Sequence, residues 1–220
     1  MVQHLVALKP LISHTPAVNI PNAITFSRLV MTAAFVLAVS FQSPTGYGTG
    51  LAFFVVAAIS DFVDGWLARK MSLVTPLGKL MDPLADKILV CTAFVFFTEK
   101  GLCPVWVTAL IICREFLVTG LRQIAVEAGQ VIAADGLGKW KTTLQLTFCI
   151  TGLVWLTLGD NAVLSPIPEF FKNLSRPRAQ GGWFLETTLW LAVALTVISG
   201  WNYVWASRGL LTGKSAGWND

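Results

Sequence analysis

Long apolar stretches separated by short polar segments extend through most of this sequence. No charged residue occurs between Leu29 and Ser60, and the turn-forming segment Gln42–Gly50 divides that stretch in two. Since a helix needs about 20 mostly apolar residues to cross a bilayer, the pattern predicts a first membrane-spanning helix over about Ile24–Phe41. It predicts a second one that begins near Thr49.

The second predicted span must include charged residues, because its apolar part is too short. The stretch Thr49–Ser60 gives about 18 Å of helix, whereas the hydrocarbon core is about 30 Å thick. We therefore expect the helix to continue through Asp61–Arg69. The third span is the mirror case, in which Ile88–Thr98 is apolar and Gly78–Lys87 must supply the remainder. Two antiparallel helices joined by Lys70–Leu77 would then place charged segments in the same half of the bilayer.

Three further apolar stretches complete the predicted architecture. They are Pro104–Gly120, Thr142–Gly159 and Thr187–Ser207. Residues 160–182 are polar and rich in proline, which is typical of an external loop, and residues 1–22 are expected to form an N-terminal juxtamembrane segment at the interface. The predicted fold class is an all-α integral membrane protein with six transmembrane helices, in which residues 1–220 form a single domain.

The composition supports a membrane protein and excludes several other classes. Apolar residues make up 55% of the 220 residues and charged residues 13%, whereas soluble domains have about 25% charged residues. The net charge is +4, but no run of five like charges occurs, so a nucleic-acid partner is not expected. With six spans both termini share one side, and most lysines and arginines fall toward it, which predicts that this side faces the cytoplasm.

Four aspartates stand out because they lie within two of the predicted spans. Asp61 and Asp64 are three residues apart, and Asp82 and Asp86 are four apart, so each pair shares a helix face. An isolated aspartate at the membrane centre costs about 2.5–3.5 kcal/mol, so cations must offset the four charges. Oxygen donors without histidine or cysteine suit Mg²⁺ or Mn²⁺, and a pair of such ions would bind a diphosphate.

A simpler interpretation of the same segment involves no metal ion. The aspartates would instead pair with Arg69, Lys79 and Lys87 and only orient the helices. We favour the metal site, because four acids at helical spacing on adjacent spans exceed what such pairing requires. Gly65 and Ala68 let helices approach closely or leave room for a nucleotide beside the metal ions, and the two roles are compatible.

The spacing of these residues is similar to a known signature. Between Asp61 and Asp86 the sequence fits D-x2-D-G-x2-A-R-x8-G-x3-D-x3-D at every fixed position, and it thereby resembles the CDP-alcohol phosphatidyltransferase family. Other segments resemble the bacterial phosphatidylglycerophosphate synthase branch of that family, namely residues 19–28, 82–87, 113–122 and 138–142. The likeness extends over roughly residues 19–145, and the loop at 160–182 has no counterpart in it.

The resemblance implies an enzyme of the bacterial inner membrane that acts as a homodimer at the cytoplasmic face. Its reaction would transfer the phosphatidyl group of CDP-diacylglycerol to sn-glycerol 3-phosphate and release CMP. The resemblance implies two divalent cations, Mg²⁺ or Mn²⁺, bound by Asp61, Asp64, Asp82 and Asp86. Asp86 would also deprotonate the acceptor hydroxyl. The residues that match the CDP-diacylglycerol site are Thr25, Arg28, Gly65, Arg69, Thr75 and Gly78.

The acceptor side of the predicted site consists of four basic residues, two on the fourth helix and two at the start of the fifth. They are Arg114, Arg122, Lys139 and Lys141. Arg114 lies about 15 Å along its helix from Pro104, so its guanidinium must meet an anion, and a phosphate is a suitable one. We expect the four to bind the phosphate of sn-glycerol 3-phosphate, although Lys139 and Lys141 fit attraction to anionic lipid head groups equally well. Glu115 is expected to point away from Arg114, because adjacent residues do not share a helix face, and its role is left open.

Three alternatives remain for the function. An enzyme of the same family with inositol phosphate or serine as acceptor would keep the same donor side. A divalent-cation transporter would also place acids within spans, but it needs a path to both faces, and the external halves of the second and third spans are apolar. An intramembrane prenyltransferase also uses aspartate pairs and metal ions, but not the spacing of Gly65, Ala68, Arg69 and Gly78.

Overall fold

Six long helices make up most of the part of the chain that the structure describes. This computed structural model describes residues 20–68, 76–127, 129, 136–158, 174–177 and 182–208, and within them the side chains at 20–25, 61–68, 76–83 and 86 lie outside the description. The helices are α1 (Ile20–Ser40), α2 (Pro44–Ala68), α3 (Pro76–Glu99), α4 (Val105–Glu127), α5 (Gly136–Leu158) and α6 (Phe184–Ala206). These residues contain no β-strand.

Each of the six predicted spans coincides with one of these helices. The prediction that the second and third helices continue through their charged segments is confirmed for the described residues, because α2 extends through Asp61 and Asp64 and α3 includes Asp82 and Asp86. The predicted juxtamembrane segment falls outside the described residues except at its last three positions. The predicted external loop does so except at 174–177 and 182.

The start of the second helix was predicted wrongly. The helix begins at Pro44 rather than near Thr49, because Ser43 caps it: the Ser43 hydroxyl accepts a hydrogen bond from the Gly46 amide at 3.1 Å, and the Ser43 carbonyl accepts the first helical bond. Proline is also favoured at the first helical position. The turn is therefore confined to the residues around Gln42, whose φ of 46° lies in the left-handed region.

Glycines of α2 allow it to approach α1 closely. A Cβ atom on Gly46 would lie 2.6 Å from the Ala38 carbonyl oxygen, and one on Gly50 would lie 2.7 Å from Val39 Cγ1. Residues that look like turn formers in the sequence are thus helical residues at a helix–helix contact, where small side chains are favoured.

An aromatic core holds the helices together. Phe35, Phe54, Phe94, Phe97 and Phe148 are fully buried, and the rings of Phe94 and Phe148 stack with their centroids 5.4 Å apart. These residues come from α1, α2, α3 and α5, and α5 contacts α2, α3 and α6. Such a core fixes the helices that bear the predicted site.

The apolar character of the helices continues on their outer surfaces. Among the described residues, Phe184–Ala206 is long and apolar enough by itself to cross a membrane, and Phe26–Ser40 and Pro44–Ser60 are shorter apolar stretches. Large apolar side chains are exposed on several helices, including Leu37, Ile59 and Val197. Exposed apolar surface of this extent is typical of contact with lipid or with another protein.

Candidate active site

The aspartate motif occupies the end of one helix and the start of the next. Asp61 and Asp64 lie in the last turns of α2, and Asp82 and Asp86 lie in the first turns of α3. The helical backbone therefore gives each pair the shared face that the spacing predicted. Among the described residues no group of three or more acidic, histidine or cysteine side chains could hold a metal ion, but the four aspartate side chains lie outside that description.

The predicted donor-binding residues are described only in part. Gly65 and Gly78 belong to α2 and α3, whereas Arg69 and Thr75 lie outside the described residues. The remaining two, Thr25 and Arg28, belong to α1, and the Thr25 side chain is also outside the description.

Arg28 is the donor-side residue whose side chain the structure does describe. It is 8% exposed, and its helix contacts both α2 and α3. A buried guanidinium thus lies on the helix that packs against both helices of the aspartate motif. Its role at the donor stays a prediction.

The clearest feature among the described residues is a buried carboxylate surrounded by three cations. Glu115 of α4 is 3% exposed and Lys141 of α5 is 1% exposed, and the Lys141 ammonium donates a hydrogen bond to Glu115 Oε1. Lys87 Nζ of α3 lies 3.2 Å from Glu115 Oε2, and Arg114 Nη1 lies 3.5 Å from Oε1. We call these four residues the Glu115 cluster.

The cluster corrects one sequence-based expectation. Glu115 does not point away from Arg114, because Arg114 Nη1 lies 3.5 Å from Glu115 Oε1. The neighbour rule describes where side chains leave a helix, and a flexible side chain with several rotatable bonds can still reach the adjacent residue. The sequence analysis considered Lys87 only as an ion-pair partner of the aspartates and missed its contact with Glu115, although its position directly after Asp86 was a usable signal.

Helix α6 holds both arginines of α4. Arg114 Nη2 donates a hydrogen bond to Ser199 Oγ at 2.9 Å, and Arg122 Nη2 donates one to the Tyr203 hydroxyl at 2.6 Å. The Arg122 guanidinium also lies 5.7 Å from the centroid of the Tyr203 ring. Ser199 and Tyr203 are one helical turn apart, so they present one face of α6 to α4. A Cβ atom on Gly200 would lie 3.1 Å from Arg114 Cγ, so this glycine leaves room for the arginine.

The four predicted acceptor residues fall into three different environments. Lys141 and Arg114 meet at Glu115, whereas Arg122 lies two helical turns further along α4. Lys139 is exposed, since residues two apart on a helix face different directions. The structure thus brings together two of the four predicted cations and adds Lys87 to them.

Two buried hydrogen-bond donors near this cluster have no partner within the described part of the chain. They are Arg114 Nε and Gln145 Nε2. Gln145 is one helical turn after Lys141, so the two residues lie on the same side of α5. A buried donor without an acceptor costs about 1–3 kcal/mol, and donors beside excess positive charge are suited to an anion.

Comparison with known proteins shows the family of the chain. A family model described as CDP-alcohol phosphatidyltransferase matches residues 18–199. The chain belongs to the CDP-alcohol phosphatidyltransferase family. The resemblance inferred from the aspartate motif is therefore confirmed, and the match spans both motif helices and the Glu115 cluster.

Several curated relatives share one name, CDP-diacylglycerol–glycerol-3-phosphate 3-phosphatidyltransferase. The chain is 38% identical to the one from Bacillus subtilis (strain 168) over 197 residues, covering 84% of this chain and 93% of the relative. It is 34% identical to the one from Rickettsia bellii over 190 residues, covering 86% and 96%. It is also 38% identical to the one from Escherichia coli (strain K12) over 150 residues, covering 65% and 79%.

In this member of the CDP-alcohol phosphatidyltransferase family the two predicted halves of the site share a helix. Lys87 directly follows Asp86 on α3, and its ammonium group contacts Glu115 of α4. The basic cluster therefore adjoins the family's aspartate motif along α3.

Proposed function

We propose that this chain transfers the phosphatidyl group of CDP-diacylglycerol to sn-glycerol 3-phosphate, giving phosphatidylglycerophosphate and CMP. The observation that carries the proposal is the group of three cations, Lys87, Arg114 and the buried Lys141, around the buried carboxylate of Glu115, beside the aspartate motif. The motif accounts for the nucleotide-linked donor, and the cluster suits an acceptor that bears a phosphate. The names of the relatives support the same pair of substrates.

In the proposed reaction the chain's own residues bind the substrates and move one proton. Arg28 and Arg69 would bind the diphosphate of the donor, with Thr25, Gly65, Thr75 and Gly78 lining its nucleotide. Asp86 accepts the proton of the acceptor hydroxyl as that oxygen bonds to the phosphatidyl phosphorus. The bond between this phosphorus and the CMP oxygen breaks, and Arg69 offsets the charge that develops on CMP.

The four aspartates of the motif suit a pair of divalent cations. Their carboxylates at positions 61, 64, 82 and 86 provide hard oxygen donors, which Mg²⁺ and Mn²⁺ prefer. When bound, these ions would neutralise the diphosphate of the donor and the charge of the departing CMP.

We also propose that all six helices cross the inner membrane of a bacterium, with both termini and the site on the cytoplasmic side. The helices have 21 to 25 residues, which is enough to cross a bilayer, since a crossing requires about 20 residues. Lysine and arginine concentrate toward the side of the termini, as expected for cytoplasmic segments. A homodimer stays a prediction from the resemblance.

An acceptor panel tests the proposed function. Purified protein in detergent with CDP-diacylglycerol and Mg²⁺ should release CMP with sn-glycerol 3-phosphate, and not with inositol phosphate, serine or water. The lipid product should be phosphatidylglycerophosphate. Asp86→Asn provides the inactive control, with a loss of at least about 100-fold, because general-base catalysis contributes about 100- to 10,000-fold.

Two results would contradict the proposal. Faster CMP release with inositol phosphate or serine would indicate an enzyme of the same family that uses a different acceptor. Absence of CMP release, together with Mg²⁺ or Mn²⁺ flux into proteoliposomes, would favour a transporter.

A further inference from the structure

Glu115 is an acidic residue in a site that is predicted to bind an acid. Its carboxylate is 3% exposed and contacts cations from three helices, Lys87 of α3, Arg114 of α4 and Lys141 of α5. If the carboxylate served only to neutralise one buried lysine, it would not need contacts with three cations. The geometry suggests that the carboxylate organises the cations.

The charges of the cluster do not cancel. Three cations surround one carboxylate, so the described side chains of the cluster retain two positive charges. A phosphate monoester carries about −1.5 to −2 at neutral pH, which matches this excess. Arg114 Nε and Gln145 Nε2, which have no acceptor among the residues that the structure describes, offer hydrogen bonds to the same kind of ligand.

The two lysines need something to hold them in place. A lysine side chain loses about 2 kcal/mol of rotamer entropy when it is fixed, and neighbouring ammonium groups repel each other. Glu115 contacts one lysine through Oε1 and the other through Oε2, so a single carboxylate fixes both. Fixing the cations before the ligand arrives removes that entropic cost from binding.

We propose that Glu115 is the positioning residue of the acceptor site and that Lys87 is one of the cations it presents to the acceptor phosphate. The proposal rests on the proposed function and extends it, because neither residue is among the acceptor residues predicted from the sequence and because it gives Glu115 a role. Glu115 acts through Lys87 and Lys141 and does not itself bind the substrate.

Steady-state kinetics of Glu115→Gln test this role. The glutamine keeps the size of the side chain and removes its charge, so the lysines lose the ion pairs that fix them. We expect the KM for sn-glycerol 3-phosphate to rise at least about 10-fold, as hydrogen bonds to charged groups are worth about 1.5–3 kcal/mol. The KM for CDP-diacylglycerol should stay within about 2-fold, and Glu115→Asp should restore most of the acceptor affinity.

Glu127→Gln is the matched control. Glu127 lies on the same helix and is exposed, so the same substitution there should leave both KM values unchanged. An unchanged or lowered KM for the acceptor in Glu115→Gln would overturn the proposal. So would a parallel loss of kcat and of both affinities that Glu115→Asp fails to restore, since that pattern indicates a purely structural residue.

Binding of inorganic phosphate separates this proposal from the proposed function. Phosphate should raise the melting temperature of the wild-type protein by ligand linkage, and the rise should be less than about half as large in Glu115→Gln. If wild-type protein releases no CMP with sn-glycerol 3-phosphate, the proposed function fails while the phosphate shift still tests Glu115. Equal shifts in the two proteins would overturn the role of Glu115 whatever the acceptor.

Discussion

Two lysines of α5, two residues apart, have opposite environments. Lys141 is 1% exposed and bonded to Glu115, whereas Lys139 is exposed. A buried ammonium group needs a charged partner to offset its lost hydration, while an exposed one is hydrated and screened by salt. The two positions, which the sequence placed together in the acceptor site, should therefore differ in their effects.

Alanine substitutions at these two positions should separate them. Lys141→Ala removes a buried phosphate-binding cation and should raise the KM for sn-glycerol 3-phosphate by about 10- to 100-fold. It should also lower the melting temperature in detergent, because breaking a buried ion pair costs about 3–5 kcal/mol. Lys139→Ala should change the KM by less than about 3-fold. Equal effects of the two substitutions would contradict this assignment.

At the scale of residues, a charged side chain within an apolar stretch could be recognised from the sequence, but its contacts with other helices could not. Arg114 could be identified because it interrupts an apolar stretch. Its partner Ser199 could not, since a serine in an apolar helix gives no signal without the register of α6 against α4. The contact between Lys87 and Glu115 depends on the register of α3 against α4 in the same way.

At the scale of elements, the packing of α2 on α1 depends on a missing side chain. Gly46→Ala would place a Cβ atom 2.6 Å from the Ala38 carbonyl oxygen, and the backbone cannot yield as a flexible side chain can. We expect a loss of about 1–3 kcal/mol, measured as a lower melting temperature in detergent.

Gly120→Ala is the matched control for this substitution. A Cβ atom at Gly120 of α4 would meet nothing within 4 Å, and alanine favours a helix over glycine by about 1 kcal/mol. The melting temperature of this variant should be unchanged or higher. An unchanged melting temperature in Gly46→Ala, or an equal decrease in both variants, would contradict a specific role for this glycine in the α1–α2 contact.

The helices themselves were largely predictable from sequence, and their ends were less so. Apolar length located all six, and the shortness of the apolar parts correctly required α2 and α3 to include charged residues. The start of α2 was misplaced because glycines in a sequence indicate either a turn or a close helix contact. Only the position of Ala38 and Val39 relative to α2 distinguishes the two.

At the scale of the whole molecule, the predicted metal ions would join α2 to α3. Without cations the four carboxylates at 61, 64, 82 and 86 would repel each other, so chelation with EDTA should lower the melting temperature and abolish CMP release. Mn²⁺ should restore both, since a ligand that binds only the folded state stabilises it.

Asp64→Asn serves as the control for chelation, because it removes one donor and one repelling charge. Its melting temperature should respond less to EDTA than that of the wild type. A wild-type protein whose melting temperature ignores both EDTA and Mn²⁺ would contradict a metal site between the two helices.

The small share of charged residues predicted a membrane protein. The spacing of a few of those charged residues predicted its family. The motif between Asp61 and Asp86 sufficed for the family, because its fixed positions are many and widely spaced. The proposed acceptor side was less accessible to sequence, since its residues come from α3, α4 and α5 and meet only in the folded chain.

The hydrogen bonds from α4 to α6 have a consequence for how the protein is made. Ser199 and Tyr203 hold Arg114 and Arg122 from 85 and 81 residues further along the chain, whereas the aspartate motif is complete once α3 has been synthesised. Since chains fold from the N-terminus during translation, we expect the proposed donor half of the site to form early and the proposed acceptor half last. A nascent chain that still lacks α6 would contain the residues of the proposed donor site before both arginines are anchored, so we expect full activity only once α6 has been added.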